Sequence, residues 1–510
     1  MDLSRRLSRW HAAEAMDHHR RHAPVPQPIS GHRGDETAAQ FFAHSTARRV
    51  ATDAVIAAAL QQQYPNLKLS ITPAGNCNLL GFAAAGHASY TPWGGEPDDC
   101  VPSSLAWKAY ASPARRMDGN LGELQQMPKF GKYLYKWKGS EFIVYLVDGR
   151  DGSGAFPANT NYYVLSTDEA LAEDLLLSAG RWGGELHGEI WVFEGGSWEK
   201  SSQLFESAMK ASWDAVILDR EMKDAIIEDH LSFFRSRSTY ARLKIPWKRG
   251  VIYYGPPGNG KTISIKATMK MLYSLEHSVP TLYVRSLASF FGPEQSIKLV
   301  FNKAREFAPC YLVFEDLDTI VTDSVRSFFL NELDGLKNND GIFVIGSTNH
   351  LDRLDPGISK RPSRFDRKYL FPDPNFDQRV AYCQFWQKKL ASNKRIEFPN
   401  KLCMAIAQET DQFSFAYMQE AFVAALLLIA RDDDDYTADG QEAGRDKLLL
   451  ESKDRKEGLL TRDLAVDDGW VEVLEMEKAD GEGPDLDDLV LWVEIKKQID
   501  ILREGMRQGA

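Results

Sequence analysis

The segment Gly255-Pro-Pro-Gly-Asn-Gly-Lys-Thr262 sets three glycines, a lysine and a hydroxyl at spacings suited to one task. Gly255, Gly258 and Gly260 let the backbone wrap so that successive N–H groups point inward, the arrangement that cradles phosphate. Lys261 adds a cation for the β- and γ-phosphates, Thr262 a hydroxyl that can bind Mg²⁺, and the helix that follows adds the positive end of its dipole. The flanks agree: Val251 to Tyr254 reads as an apolar strand and "ISIKATMKMLY" as a helix. The expected ligand is ATP with Mg²⁺, contacted by Gly255, Pro256, Pro257, Gly258, Asn259, Gly260, Lys261, Thr262 and Ile263.

A second cluster of chemistry stands in "YLVFEDLD", Tyr311 to Asp318. A carboxylate at a strand end can hold the hydration shell of Mg²⁺ while its neighbour orients an attacking water. By position Glu315 takes the metal role with Thr262, and Asp316 the water role. In a rival register Asp316 takes the metal and Asp318 stands near the water, because residues two apart share a strand face. The apolar run ends at Phe314, which favours the first. Most such sites place aspartate before glutamate. The reversal lengthens the first arm by one methylene and shortens the second, and it leaves open whether the chain hydrolyses ATP or only binds it.

These groups need a scaffold, and the 510 residues, 43% of them hydrophobic, suffice for two or three domains. Residues 1–118 alternate Ala-rich helical patches with Pro/Gly-rich stretches and read as a loosely ordered or adaptor-like region. Residues 119–218 carry short β-like runs ("EFIVYLV", "NYYVLS", "EIWVFE") between Gly-rich turns and read as a small β-rich domain. Its tryptophans, Trp137, Trp182, Trp191, Trp198 and Trp213, could line a binding surface, although packing into a core is the simpler reading. Residues 219–375 alternate strand and helix as an α/β core, 376–430 read as a compact helical subdomain, and 431–510 as an acidic linker ending in an amphipathic helix.

The formal charge of −11 lies in the tail, where residues 431–510 hold 12 Lys and Arg against 24 Asp and Glu. The rest is near neutral and offers no basic footprint for nucleic acid. Five scattered cysteines suggest neither a disulfide framework nor a zinc site, so the expected location is cytoplasmic, in a reducing compartment. The Arg- and His-rich first 22 residues leave a mitochondrial address open. The run "AFVAALLLIA" is too short to span a membrane.

"GPPGNGKT", "VFEDLD", "GIFVIGSTNHLDRLDP" and "RPSRFDR" follow one another in the order and spacing of the AAA family of ATPases, which residues 219–430 resemble. The lead-in Pro-Trp-Lys-Arg-Gly and the Glu-Asp order look most like the branch that contains the mitochondrial AAA chaperone of respiratory complex III assembly. There the Glu-Asp order accompanies active ATPases. The resemblance implies an α/β fold: a P-loop NTPase parallel sheet sandwiched by helices, then a small helical subdomain, preceded by a mainly β N-terminal domain. It implies that Asn349 senses the γ-phosphate or the attacking water, and that Arg361 and Arg364 reach a neighbouring subunit's ATP in a ring, expected to be a hexamer. "LNELDGL" resembles a segment that signals between subunits. Phe415-Ala416 replaces a Gly-Ala pair that contacts the nucleotide in many members, and no sensor 2 arginine is visible.

By the same resemblance Phe290, Phe291 and Gly292 match the pore loop of threading AAA proteins, whose aromatic rings grip an extended polypeptide. Packing of two Phe residues at a strand end is the alternative, and Pro293 stands where an acid is usual. Three activities follow as expectations. One is a ring that remodels or unfolds protein clients; another is a chaperone or translocase for folded clients without threading. The third is a slow-hydrolysing scaffold. "SFFGPEQS" offers no cation to a nucleic-acid backbone.

Overall fold

The computed structural model describes residues 51–93, 104–113, 121–149, 160–334, 337–361, 364–393, 395–438 and 485–508, together with Thr37, Gln40 and Ala43. The readings made for the basic N-terminus and Cys100 fall outside these residues, as does the expected acidic linker beyond Ala438; the start of that linker, 431–438, instead continues a helix. The chain divides into two units, 1–185 and 186–510.

In the first unit, α1 (Thr52–Gln63), β1 (Lys68–Pro73), α2 (Leu79–Ala84), β2 (Ser89–Pro92), β3 (Ser104–Ala111), β4 (Glu123–Trp137), β5 (Ser140–Asp148), β6 (Thr160–Ser166) and α3 (Glu169–Gly184) follow in order. The strands form one antiparallel sheet, β1-β6-β5-β4-β2, with β3 also paired to β4. Side chains on a strand alternate faces. Phe142, Val144 and Leu146 therefore pack with α2 and α3, while Tyr145 and Val147 pack with Leu60 of α1 on the opposite side. The expected boundary at 118 cuts through this sheet. Lys68–Pro73, Ser89–Pro92 and Ser104–Ala111 are strands within it, so the described part of residues 1–118 is no loose region. Short strands hidden among Ala, Gly and Pro gave little periodic signal, and pairing supplied what periodicity lacked.

The second unit opens with β7 (Ile190–Glu194), β8 (Ser197–Ser201), α4 (Ser202–Lys210), α5 (Arg220–Arg235) and α6 (Arg237–Leu243). Then come β9 (Lys248–Tyr254), α7 (Lys261–Tyr273), β10 (Thr281–Val284), α8 (Pro293–Glu306), β11 (Cys310–Phe314), α9 (Leu317–Ile320), α10 (Arg326–Asp334), β12 (Ile342–Thr348), α11 (Pro356–Ser359) and β13 (Arg367–Leu370). The sheet order is β13-β9-β12-β11-β10-β7-β8, parallel except for the β7–β8 hairpin. A parallel sheet buries both faces. Tyr311 and Val313 meet α4, α5 and α7 on one side, and Cys310, Leu312 and Phe314 meet α8 and α10 on the other. The three-layer α/β core is the expected one, but it begins earlier than residue 219. "EIWVFE" belongs to it, because Ile190, Val192 and Phe193 are buried and β7 pairs along β10.

A helical subdomain of α12 (Phe376–Leu390), α13 (Asn400–Glu409), α14 (Phe415–Ala438) and α15 (Val490–Gln508) completes the unit. Leu491, Trp492, Ile495 and Ile499 of α15 pack among Trp386, Ile406 and Phe422, so the terminal helix is part of this core rather than a separate tail element. All five tryptophans considered for a binding surface lie in or against cores: Trp137 and Trp182 in the first unit, Trp191, Trp198 and Trp213 in the second.

Candidate active site

The strands β9, β11 and β12 are parallel neighbours, Phe314 level with Gly346 and Thr348 level with Tyr254, so their carboxyl ends share one edge. Ligands of open α/β sheets bind at that edge. The residues singled out for phosphate, metal and water leave the sheet there.

The phosphate loop follows β9 and is shaped by its glycines. Gly255, Gly258 and Gly260 have φ of 139°, 81° and 91°. A Cβ on Gly255 would meet the Phe371 carbonyl at 2.2 Å, and one on Gly258 the Ala416 Cβ at 2.5 Å. Glycine is required at both positions by contact as well as by dihedral. Gly260 caps α7 with no side-chain cap accepting from the first N–H groups, which leaves them to an anion. Pro256 and Pro257 are exposed, and Thr262 is exposed on that first turn beside the half-buried Ile263.

Lys261 is buried and donates to the Gly255 and Pro256 carbonyls, each at 2.7 Å. Burial lowers its pKa, and the negative charge of Asp316 pulls the other way, which sets the lysine and Asp316 in one electrostatic neighbourhood. Asn259 is buried and ties the loop to the segment ahead of the helical subdomain, its Nδ2 donating to Asp373 at 2.9 Å. Its Oδ1 is buried with no partner among the described residues. The Ala416 N–H donates to the Gly258 carbonyl at 3.2 Å. The Phe415-Ala416 turn thus touches the loop by backbone, which its side chains did not foretell, while the Phe415 ring lies against Tyr382.

The two acids part company at the end of β11. Glu315 stands just past the strand end, half-buried, and its Oε2 accepts from the Tyr283 hydroxyl at 2.5 Å. Burial and the Glu315 charge push that hydroxyl well up, so it remains a donor. Glu315 Oε1 is buried with no partner among the described residues. An orphaned buried carboxylate oxygen costs free energy unless a cation or donor meets it, so the donor set fits Mg²⁺ with its water shell. Asp316 turns into the left-handed region, φ 50° and ψ 53°, is exposed, and donates its N–H to Ser347 Oγ at 3.3 Å. Asp318 is engaged by Thr348, whose hydroxyl donates to it at 2.6 Å. Asn349 follows β12, half-buried on the same edge.

The arginines divide. Arg364 has a side chain only 7% exposed; it donates to both Asp334 oxygens at 2.8 and 2.6 Å and to the Gly357 carbonyl at 2.7 Å. That pair holds the Asp334 carboxyl below its ordinary value. Arg361 is 61% exposed, 3.9 Å from Asp334. Of the two arginines expected to reach a neighbour, Arg361 is presented to solvent and Arg364 is taken up within its own subunit, because Asp334 at the end of α10 forms a fork for it.

Phe290 and Phe291 are 96% and 74% exposed, in edge contact at 5.4 Å, on the loop between β10 and α8. Packing at a strand end does not describe them. Gly292, with φ 84°, closes the loop before Pro293.

The model of the ATPase family associated with various cellular activities (AAA) matches residues 251–373. Those residues form an AAA ATPase domain. The chain is 32% identical over 178 residues to the ATPase histone chaperone YTA7 of Saccharomyces cerevisiae, covering 32% of this chain and 13% of that protein. It is also 32% identical over 231 residues to the 26S protease regulatory subunit 6A of Caenorhabditis elegans, 42% of this chain and 51% of that protein. The chain thus spans about half the length of the nematode relative and about an eighth of the yeast one. Sequence reasoning missed Tyr283, Asn259–Asp373 and the Ala416 contact around the AAA domain's loop. Only Tyr283 left a trace, as a polar-tipped ring between Leu282 and Val284. No helix among the described residues is long and apolar enough to cross a membrane.

Proposed function

We propose that the protein binds and hydrolyses ATP with Mg²⁺, assembles as a ring, expected to be a hexamer, and uses turnover to remodel, unfold or disassemble protein clients. The nucleotide half of this reading rests on the glycine cradle, with Lys261 within the electrostatic reach of Asp316. Thr262 and Glu315 hold the metal, Asp316 orients the attacking water, and Asn349 positions water or γ-phosphate. Asp318, already engaged by Thr348, supports that register over its rival. Mg²⁺ held by Thr262 and Glu315 would supply neutralisation of phosphate charge. Lys261 would exchange its two carbonyl acceptors for phosphate oxygens, and Arg361 would bring a cation to the neighbour's site, which ties turnover to assembly.

The exposed Phe290-Phe291 pair carries the client half of the reading. Apolar rings of that size kept in water are a binding feature, and on a loop ended by a flexible glycine they suit a nonspecific grip on an extended chain. Relatives named as a histone chaperone and a protease regulatory subunit support a protein client rather than nucleic acid. The second reading, release of a folded client without threading, is favoured by the Pro-Trp-Lys-Arg-Gly lead-in and the Glu-Asp order shared with the complex III assembly branch; a cytoplasmic or mitochondrial site fits either. Unfolding of a fluorescent client by Phe290→Ala separates them. Threading requires loss of unfolding with ATP turnover retained, and unfolding that survives the change contradicts it.

A further inference from the structure

We propose that Tyr283 is a positioning residue that makes a glutamate workable at the end of β11, fixing one oxygen of Glu315 and presenting the other to the metal. The inference rests on the nucleotide reading above and deepens it.

Strand register brings the two residues together. Tyr283 stands level with Val313 on the adjacent parallel strand and shares its face, and Glu315 follows two residues beyond Val313, just past the strand end. That face is the one covered by α7, the helix of the phosphate loop. A tyrosine long enough to lean one residue pair along the strand therefore meets the Glu315 carboxylate, and its hydroxyl donates to Oε2 at 2.5 Å. Oε1 stays buried without a partner among the described residues. A glutamate has one more rotatable bond than an aspartate, and an untethered one would spread over several rotamers. The Tyr283 bond removes that freedom and distinguishes the oxygens.

Geometry also predicts who needs the tether. Shortening the acid by one methylene withdraws it by roughly one C–C bond, about 1.5 Å, which takes the tyrosine contact out of hydrogen-bond range. An aspartate at 315 would have no use for Tyr283. The pair is thus a unit, and its members should be non-additive.

The test is a double-mutant cycle of Tyr283→Phe and Glu315→Asp in the full chain. Three readouts serve: melting temperature, affinity for a fluorescent ATP analogue with and without Mg²⁺, and the Mg²⁺ dependence of turnover. Tyr283→Phe alone should leave metal-free nucleotide affinity unchanged and lower the melting temperature by no more than a few degrees, the cost of leaving Glu315 Oε2 without its donor. It should raise the Mg²⁺ concentration for half-maximal effect and lower kcat, each by about three- to tenfold and together by about ten- to a hundredfold, the worth of one hydrogen bond to a charged group. In the Glu315→Asp background the same change should add less than about twofold. Equal penalties in both backgrounds, or a Tyr283→Phe effect confined to melting or to metal-free binding, would overturn the assignment while leaving the nucleotide reading intact. A wild-type chain that binds no ATP analogue at all would fell the nucleotide reading and the assignment with it.

Discussion

Asp316 holds a backbone conformation that costs a non-glycine residue of the order of 1 kcal/mol, and strain of this kind collects at functional sites. In the left-handed region it turns the chain from the end of β11 into α9, leaving Asp316 exposed where Glu315 is half-buried. Replacement by asparagine keeps the size and the tolerance for this conformation but removes the base. Asp316→Asn is therefore expected to bind ATP with wild-type affinity and to turn over about a hundredfold or more slowly, as read by steady-state phosphate release. Loss of binding instead would assign Asp316 to the metal, as in the rival register. The sequence made the loop and the acids legible, because glycine, lysine and carboxylates at fixed spacing have few other uses. It did not show that Arg364 is bound by Asp334 or that Tyr283 holds Glu315, since both depend on which strands lie side by side.

At the scale of elements, close approach of backbones fixes the floor of the ATPase sheet. A Cβ on Gly250 would stand 2.0 Å from the Arg364 carbonyl, where the Asp366 N–H also bonds the Gly250 carbonyl. Backbone cannot yield as a flexible side chain can, so Gly250→Ala should destabilise by about 2–3 kcal/mol and lower the melting temperature by more than about 5 °C. An unchanged melting curve would mean that β9 and the 364–366 segment lie further apart. His230 on α5 supplies a pH dependence. It is fully buried, stacked on Phe343 with Tyr311 at its edge, with Asp229 and Arg249 as the charges facing it, and burial lowers its pKa to about 4. The unfolded chain binds a proton near pH 6.5 that the folded chain refuses, so its contribution is present above that pH and is lost as pH falls toward 4. His230→Leu should flatten the decline of melting temperature between those values; an unchanged slope would show that other groups govern it. Elements with long periodic patterns, α5, α7, α12 and α14, were legible in the sequence. The first-unit strands and the transfer of β7 and β8 to the second sheet were not, because pairing partners decide them.

The whole molecule joins an AAA domain to a separate antiparallel unit, and the proposed ring makes its activity a property of the assembly. In the proposed ring the exposed Arg361 would reach out of its own subunit, and the exposed phenylalanines would face whatever passes the ring. Arg361→Ala should abolish the rise of turnover with protein concentration while leaving ATP binding intact, whereas a substitution of Arg364 should in addition lower melting temperature by breaking its fork with Asp334. The most direct test of the account is specific ATP turnover of the wild-type chain across protein concentration, with assembly mass followed in parallel. The account predicts that turnover per subunit is low for the monomer and climbs as the ring forms. Turnover independent of assembly would remove the trans arginine, and a fully assembled, ATP-bound ring with no turnover would contradict the motor itself and leave a nucleotide-held scaffold.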